Sequence, residues 1–128
     1  DPSGRYMVNY KRWHLIGLEL PYSVASVGIR GEATGAATEF RADVVAVAKR
    51  DLSAGELLDG EGGYTVSGGL RPALLSVRNG YVPLGLAHQV KLIRSVVKDQ
   101  AVTWDDIEID PTTSAYRLRK EVEAGVAQ

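Results

Sequence analysis

From Phe40 to Arg50 the chain reads FRADVVAVAKR, a valine-rich run that partly alternates and predicts a strand entering a sheet. Beyond it the apolar residues come in short bursts, cut by SAGE, DGEGG and SGG at spacings too tight for helices. Eight of the fourteen glycines fall between Gly55 and Gly85, a density that signals positive-φ turns or bulges and hence a compact β fold of short strands. Tyr64–Gly68 and Ala73–Gly80 are predicted strands, the second ending in the hairpin signal Asn79-Gly80. Pro83 opens a stretch, VPLGLAHQ, with room for one or two helical turns.

The flanks read differently. Residues 1–5 carry no ordering signal, and Tyr6–Tyr10 (YMVNY) has strand-like composition, followed by the apolar Trp13–Leu20. Pro21 fits the first turn of a helix, where a missing N–H costs nothing. Leu20, Val24 and Val27 then share one helical face, and Gly31 is its stop. The small-residue connector EATGAAT places a boundary near residue 38. Towards the C-terminus, Thr103 and Asp106 in TWDD form a capping box around a short turn that carries Ile107. Asp110 as cap and Pro111 at the first helical position predict a final helix ending near Gly125. Ala115, Leu118 and Val122 make its apolar face, with Arg117–Glu121 and Arg119–Glu123 as i,i+4 pairs. The predicted class is mainly β with flanking helices. Residues 1–38 form a strand-plus-helix segment, 39–110 the β module, and 111–128 the C-terminal helix.

The β part is written twice. At an offset of 45, Val47 falls on Leu92, Leu52 on Val97, Leu57 on Val102 and Leu58 on Thr103. Each copy runs strand, basic residue, apolar residue, tight polar turn, apolar pair, acidic cluster. Two such units close a core only by burying their apolar sides against each other.

Composition narrows the function classes. Fifteen basic against sixteen acidic residues give a net charge of -1 over 128 residues, which argues against nucleic acid or an anionic membrane as partner. With no cysteine there is no disulfide, no thiolate nucleophile and no Cys-based metal site. No apolar run reaches the roughly 18–20 residues that span a bilayer, and none resembles a signal peptide, so cytoplasm is the default expectation. The start DPSGRYMVNY has no initiator Met and turns apolar at once, which reads as a piece excised from a longer protein, with proteolytic maturation as the competing account.

AVAKRDLSAGELLDGEG together with VPLGLAHQVKLIRSVVKDQAVTWDDIEID resembles the SAF domain, a family named for sialic acid synthases, antifreeze proteins and flagellar pilus-assembly chaperones. The resemblance covers about residues 40–110 and implies a β-clip, a long hairpin of short strands bent twice on itself. Upstream, YKRWHLIGLELPYSVASVGIRGE is similar to the tail of homoserine-dehydrogenase-like oxidoreductases that carry a C-terminal SAF domain. Tyr10, Arg12, His14, Leu15, Glu19, Pro21, Ser23 and Val24 stand where that pattern expects them. Trp13 departs from it, as does the lack of a proline between Arg12 and His14. That likeness implies a parent using NAD or NADP, upstream Rossmann and catalytic domains in the same polypeptide, and a homo-oligomer.

Candidate chemistry within the chain is sparse. His14 is the foremost site residue: flanked by Arg12 and Glu19, it suits anion binding or proton movement at a substrate pocket, or else a hydrogen-bonded structural histidine. Tyr10, Arg12 and Glu19 share that dual reading. The Rossmann fingerprint is absent, and GEGGYTVSGG lacks a following amphipathic helix, so no cofactor site is expected in this chain. His88 has no companion ligand nearby in sequence. Asp105, Asp106, Glu108 and Asp110 read as caps and a solvated face, so no metal site is expected. No serine has a nucleophile-elbow context. Three functions fit: a C-terminal module of an oxidoreductase, aiding closure or oligomerisation; a carbohydrate-binding module like that of sialic acid synthases; and an assembly chaperone like the flagellar relatives.

Overall fold

Strand β1, Ala42–Ala48, is the spine of the β module: Asp43, Val45, Ala46 and Ala48 are buried along it. In this computed structural model, which describes residues 2, 3, 8 and 10–126, the chain divides into two compact units, Asp1–Thr38 and Glu39–Gln128. β2 spans Leu57–Asp59 and β3 Val66–Pro72. β1 pairs antiparallel with β3, from Ala42 opposite Pro72 to Ala48 opposite Val66. Gly68 and Gly69 in β3 leave room for side chains of β1. A Cβ at Gly68 would come within 2.8 Å of Val44 Cγ1, and one at Gly69 within 2.7 Å of Val47 Cγ2.

Helix α2, Ala73–Asn79, follows, then strands β4, His88–Leu92, and β5, Ile107–Glu108. β2, β4 and β5 form a three-stranded antiparallel sheet in that order. Its register slips at Asp59, where Gln89 (φ 56°) is the extra residue of a bulge. Three backbone bonds bind the layers at the centre: Ala46 N–H to Val82 O at 2.8 Å, Val82 N–H to Val102 O at 2.9 Å, and Val102 N–H to Ala46 O at 2.9 Å. Between them sits an entirely aliphatic core led by Leu52, Leu58, Leu92, Val66, Val82 and Val102. Each such buried side chain stabilises the fold by about 1.5–3 kcal/mol.

The internal repeat is a twofold relation of the backbone. Leu52 and Val96 exchange both N–H···O bonds, at 2.8 and 2.9 Å. Around them the backbone contacts of the two turns come in mated pairs. Gly55 N–H donates to Leu92 O (2.7 Å) as Asp99 N–H donates to Ala48 O (2.8 Å). Leu92 N–H donates to Glu56 O as Ala48 N–H donates to Gln100 O, at 2.8 and 2.9 Å. Side chains follow the same rule, since Ala54 N–H reaches Ser95 Oγ and Lys98 N–H reaches Asp51 Oδ1. Mates stand 44 positions apart, as Leu52 and Val96 do, which corrects the offset of 45 read from apolar positions. The matching is set by the two left-handed turn residues, Gly55 (φ 93°) and Asp99 (φ 67°), not by the leucines beside them.

Other expectations are corrected by the structure. Ala73–Gly80 is helix rather than strand. Ala73 and Ser76 lie on its buried side, and Gly80 (φ 63°) is the left-handed cap receiving the chain at its end. The Asn-Gly signal was therefore a positive-φ signal, which a helix stop uses as readily as a hairpin. In the first unit, α1 spans Ile16–Ala25, so Pro21 sits inside it instead of in its first turn. The earlier start is held by Leu18 and Glu19 N–H donating to Leu15 O (2.9 and 3.0 Å). A π-helical turn, Ser26–Arg30, prolongs α1 as far as Gly31, whose φ of 67° makes the stop. The strand expected at Tyr6–Tyr10 lies largely outside the described residues.

The last helix, α3, spans Ser114–Val126. Its cap is Thr113, whose Oγ1 accepts from Tyr116 N–H at 3.4 Å. Asp110 instead closes a preceding turn by accepting from the N–H and hydroxyl of Thr112, which leaves Pro111 outside the helix. The predicted apolar face is turned outward: Leu118 is 61% and Val122 46% exposed. α3 is held to the module by charge, because Arg119, itself braced by Glu123 one turn on, pairs with Asp43 of β1 and lies 5.0 Å over the Phe40 ring. Lys120 lies 4.1 Å over the Trp104 ring. Arg119–Glu123 forms as expected, whereas no Arg117–Glu121 pair forms among the described residues.

Candidate functional site

The residues singled out around His14 lie on the approach to α1. Glu19, one turn into the helix, points its carboxylate back over the helix start. Oε1 accepts from Leu15 N–H at 3.3 Å, and Oε2 lies 2.7 Å from His14 Nδ1. Lys11 Nζ bonds the same carboxylate, a partner that sequence reading missed although it stands among the named candidates. Donation of Nδ1–H to Glu19 directs Nε2 away from the carboxylate, where it can accept a hydrogen bond. Arg12 turns away and lies 4.7 Å over the Trp13 ring, while Tyr10 is 85% exposed. The structure thus joins His14, Glu19 and Lys11 and leaves Arg12 and Tyr10 apart from them. Around this cluster the unit buries no apolar side chain of α1, and Trp13, Leu15, Leu18 and Leu20 are more than half exposed.

The glycine-rich loop DGEGG has a structural occupant. The Asp59 carboxylate turns into it and accepts from Tyr64 N–H (2.5 Å), Thr65 N–H (3.0 Å) and the Thr65 hydroxyl. Chiefly the Thr65 hydroxyl bond, then the Tyr64 N–H, hold its pKa at about 2. The amides that would cradle a phosphate therefore already serve a carboxylate. The loop also leads into strand β3 rather than a helix N-terminus, so these residues do not fit a dinucleotide. His88 Nδ1 lies 3.0 Å from the Asp59 carbonyl oxygen at the foot of this loop.

The acidic cluster is largely accounted for as well. Asp106 accepts from the N–H and hydroxyl of Thr103 at 2.8 and 2.7 Å, completing the capping box over the turn Trp104–Asp106. Asp105 lies 3.8 Å from Arg94, and Asp110 makes the turn described above. Among the described residues no group of three His, Asp or Glu side chains is placed to hold a metal ion. Nor is any helix there long and apolar enough to cross a membrane. Arg78, Asn79, Gly80, Thr103, Trp104 and Asp105 line an open polar cleft of about 340 Å³ between the end of α2 and the capped turn.

Comparison with known proteins bears on the β module. No curated protein matches the chain. The SAF domain family model matches residues 43–108, from the buried Asp43 of β1 to the last residue of β5. That span is just over half of the chain and contains both halves of the twofold, so the protein belongs to the SAF domain family, and its mainly β fold with flanking helices is the SAF-type β-clip.

Proposed function

We propose that this chain is the C-terminal SAF module of a multidomain NAD(P)-dependent oxidoreductase of the homoserine-dehydrogenase-like kind, serving to seat and close the catalytic domain rather than to perform the reaction. The observation that carries the reading is α1. A helix whose apolar residues cover most of its circumference, with none buried in its own unit, belongs against a larger apolar body. The β module, by contrast, closes its own core. The likeness of the Tyr10–Val24 pattern to the tail of such oxidoreductases supports taking that body to be a catalytic domain. In that setting the Glu19 carboxylate orients His14, and Lys11 adds a positive charge beside the pair, a combination suited to an anionic substrate group. On this reading the cofactor supplies the hydride when bound elsewhere in the polypeptide, since the DGEGG loop does not fit a dinucleotide.

The test is titration of the purified chain with NADPH, followed by nucleotide fluorescence and calorimetry. No binding is expected, and tight binding would overturn the assignment of the cofactor site to other domains. The coding sequence upstream of Asp1 provides the second check. A G-x-G-x-x-G βαβ unit supports the reading, and an upstream region without a nucleotide-binding domain removes it.

A further inference from the structure

We propose that the outward face of α3 is a self-association surface, on which two copies of the protein pair their last helices antiparallel about a twofold axis. A helix packed on a domain normally turns its apolar stripe inward. α3 does the reverse, since Arg119, Lys120 and Glu123 face the module while Ala115, Leu118, Val122 and Gly125 are exposed. These four positions are spaced three, four and three apart, the seam of a coiled-coil contact.

A second copy is the occupant that this stripe fits, because the spacing reads the same in both directions. Reversed upon itself, it sets Leu118 against Val122 of the other copy and Ala115 against Gly125, large facing large and small facing small. Such a pairing is isologous: each contact occurs twice. The flanking charges agree. Arg117 and Glu121 have the spacing of a helical ion pair, yet neither has a partner among the described residues. In the antiparallel pair Arg117 of one copy comes within reach of Glu121 of the other, and the mate of that bridge forms across the axis. With four stripe residues on each side the contact is small, so the dimer is a concentration-dependent one.

The experiment is sedimentation equilibrium of the whole chain across the micromolar range, with circular dichroism to verify folding. The wild-type chain is expected to dimerise and Leu118→Glu to weaken the dimer at least about tenfold, because the new carboxylate would be desolvated against Val122 of the other copy. Arg117→Glu should weaken it, and Arg117→Glu/Glu121→Arg should restore it. A monomeric wild-type chain, a dimer indifferent to Leu118→Glu, or a charge reversal that fails to restore would each overturn the proposal. The cysteine-free chain permits a direct reading of the register. Ala115→Cys/Gly125→Cys places two thiols roughly 15 Å apart along one helix, too far for an internal disulfide. Oxidation should therefore yield a covalent dimer, with a yield unchanged by Leu18→Lys on α1. Failure to cross-link, or a yield lost with that α1 substitution, counts against the α3 pair.

Discussion

Arg119 grips Asp43 with both arms of its guanidinium: Nη1 donates to Oδ1 at 3.1 Å and Nη2 to Oδ2 at 2.6 Å, across 76 residues of sequence. Asp43 is 6% exposed and also accepts the hydroxyl of the fully buried Ser76 at 2.5 Å. One carboxylate thus ties β1, α2 and α3 together. Removing the arginine alone leaves a buried charge short of its partner, which costs about 3–5 kcal/mol. Arg119→Met is expected to lower stability by that order in urea unfolding and to expose α3 to proteolysis. Arg119→Lys, which cannot make the paired bonds, should recover only part of the loss.

Gly63 owes its identity to Asp59. A Cβ at position 63 would fall on the Asp59 carboxylate, while a Cβ at the neighbouring Gly62 meets nothing within 4 Å. Gly63→Ala must push the carboxylate off its donors and strand the N–H of the buried Thr65, a cost of about 1–3 kcal/mol. Gly62 has φ 78°, so Gly62→Ala should cost only backbone strain, about 1 kcal/mol. Thermal unfolding of the two variants side by side distinguishes the steric from the conformational cause.

The same carboxylate makes a pH signature. Its folded pKa of about 2 lies below the ordinary 3.8 because donors favour the charged form. A group depressed on folding contributes stability that is full above the unfolded value and is lost as pH falls through the folded one. Stability should decline between roughly pH 4 and pH 2, and Asp59→Asn should flatten that part of the curve while lowering stability at neutral pH. Denaturant midpoints measured at pH 2, 3, 4 and 7 give the comparison. An unchanged slope in Asp59→Asn would assign the acid transition to other carboxylates.

Gly55 and Asp99 hold mated places in the twofold, and both have positive φ. Gly55→Ala should destabilise by about 1 kcal/mol. Asp99→Gly relieves the side chain of a left-handed conformation and should be neutral or stabilising by up to about 1 kcal/mol. The opposite signs at equivalent positions, read from chemical denaturation, test whether the two turns share one backbone requirement.

Sequence alone determined what depends on neighbours along the chain. The Thr103–Asp106 capping box, the stop at Gly31 and the valine-rich β1 are local, and each appears where the residues place it. Ala73–Gly80 was ambiguous because its short apolar run satisfies strand and helix alike. The helix is what lets Ser76 reach the buried Asp43, 33 positions away, a contact the local sequence does not reveal. Tertiary structure also decided which face of α3 is inward. Periodicity marks Leu118 and Val122 as the apolar side, but the buried acceptor Asp43 attracts Arg119, and a bidentate ion pair in a nearly dry site outweighs the burial of two aliphatic side chains. The repeat's true register was hidden for a related reason. Leucines and valines slide past one another with little penalty, whereas the two left-handed turn residues do not, and an aspartate in that conformation carries no mark in sequence until the backbone shows it.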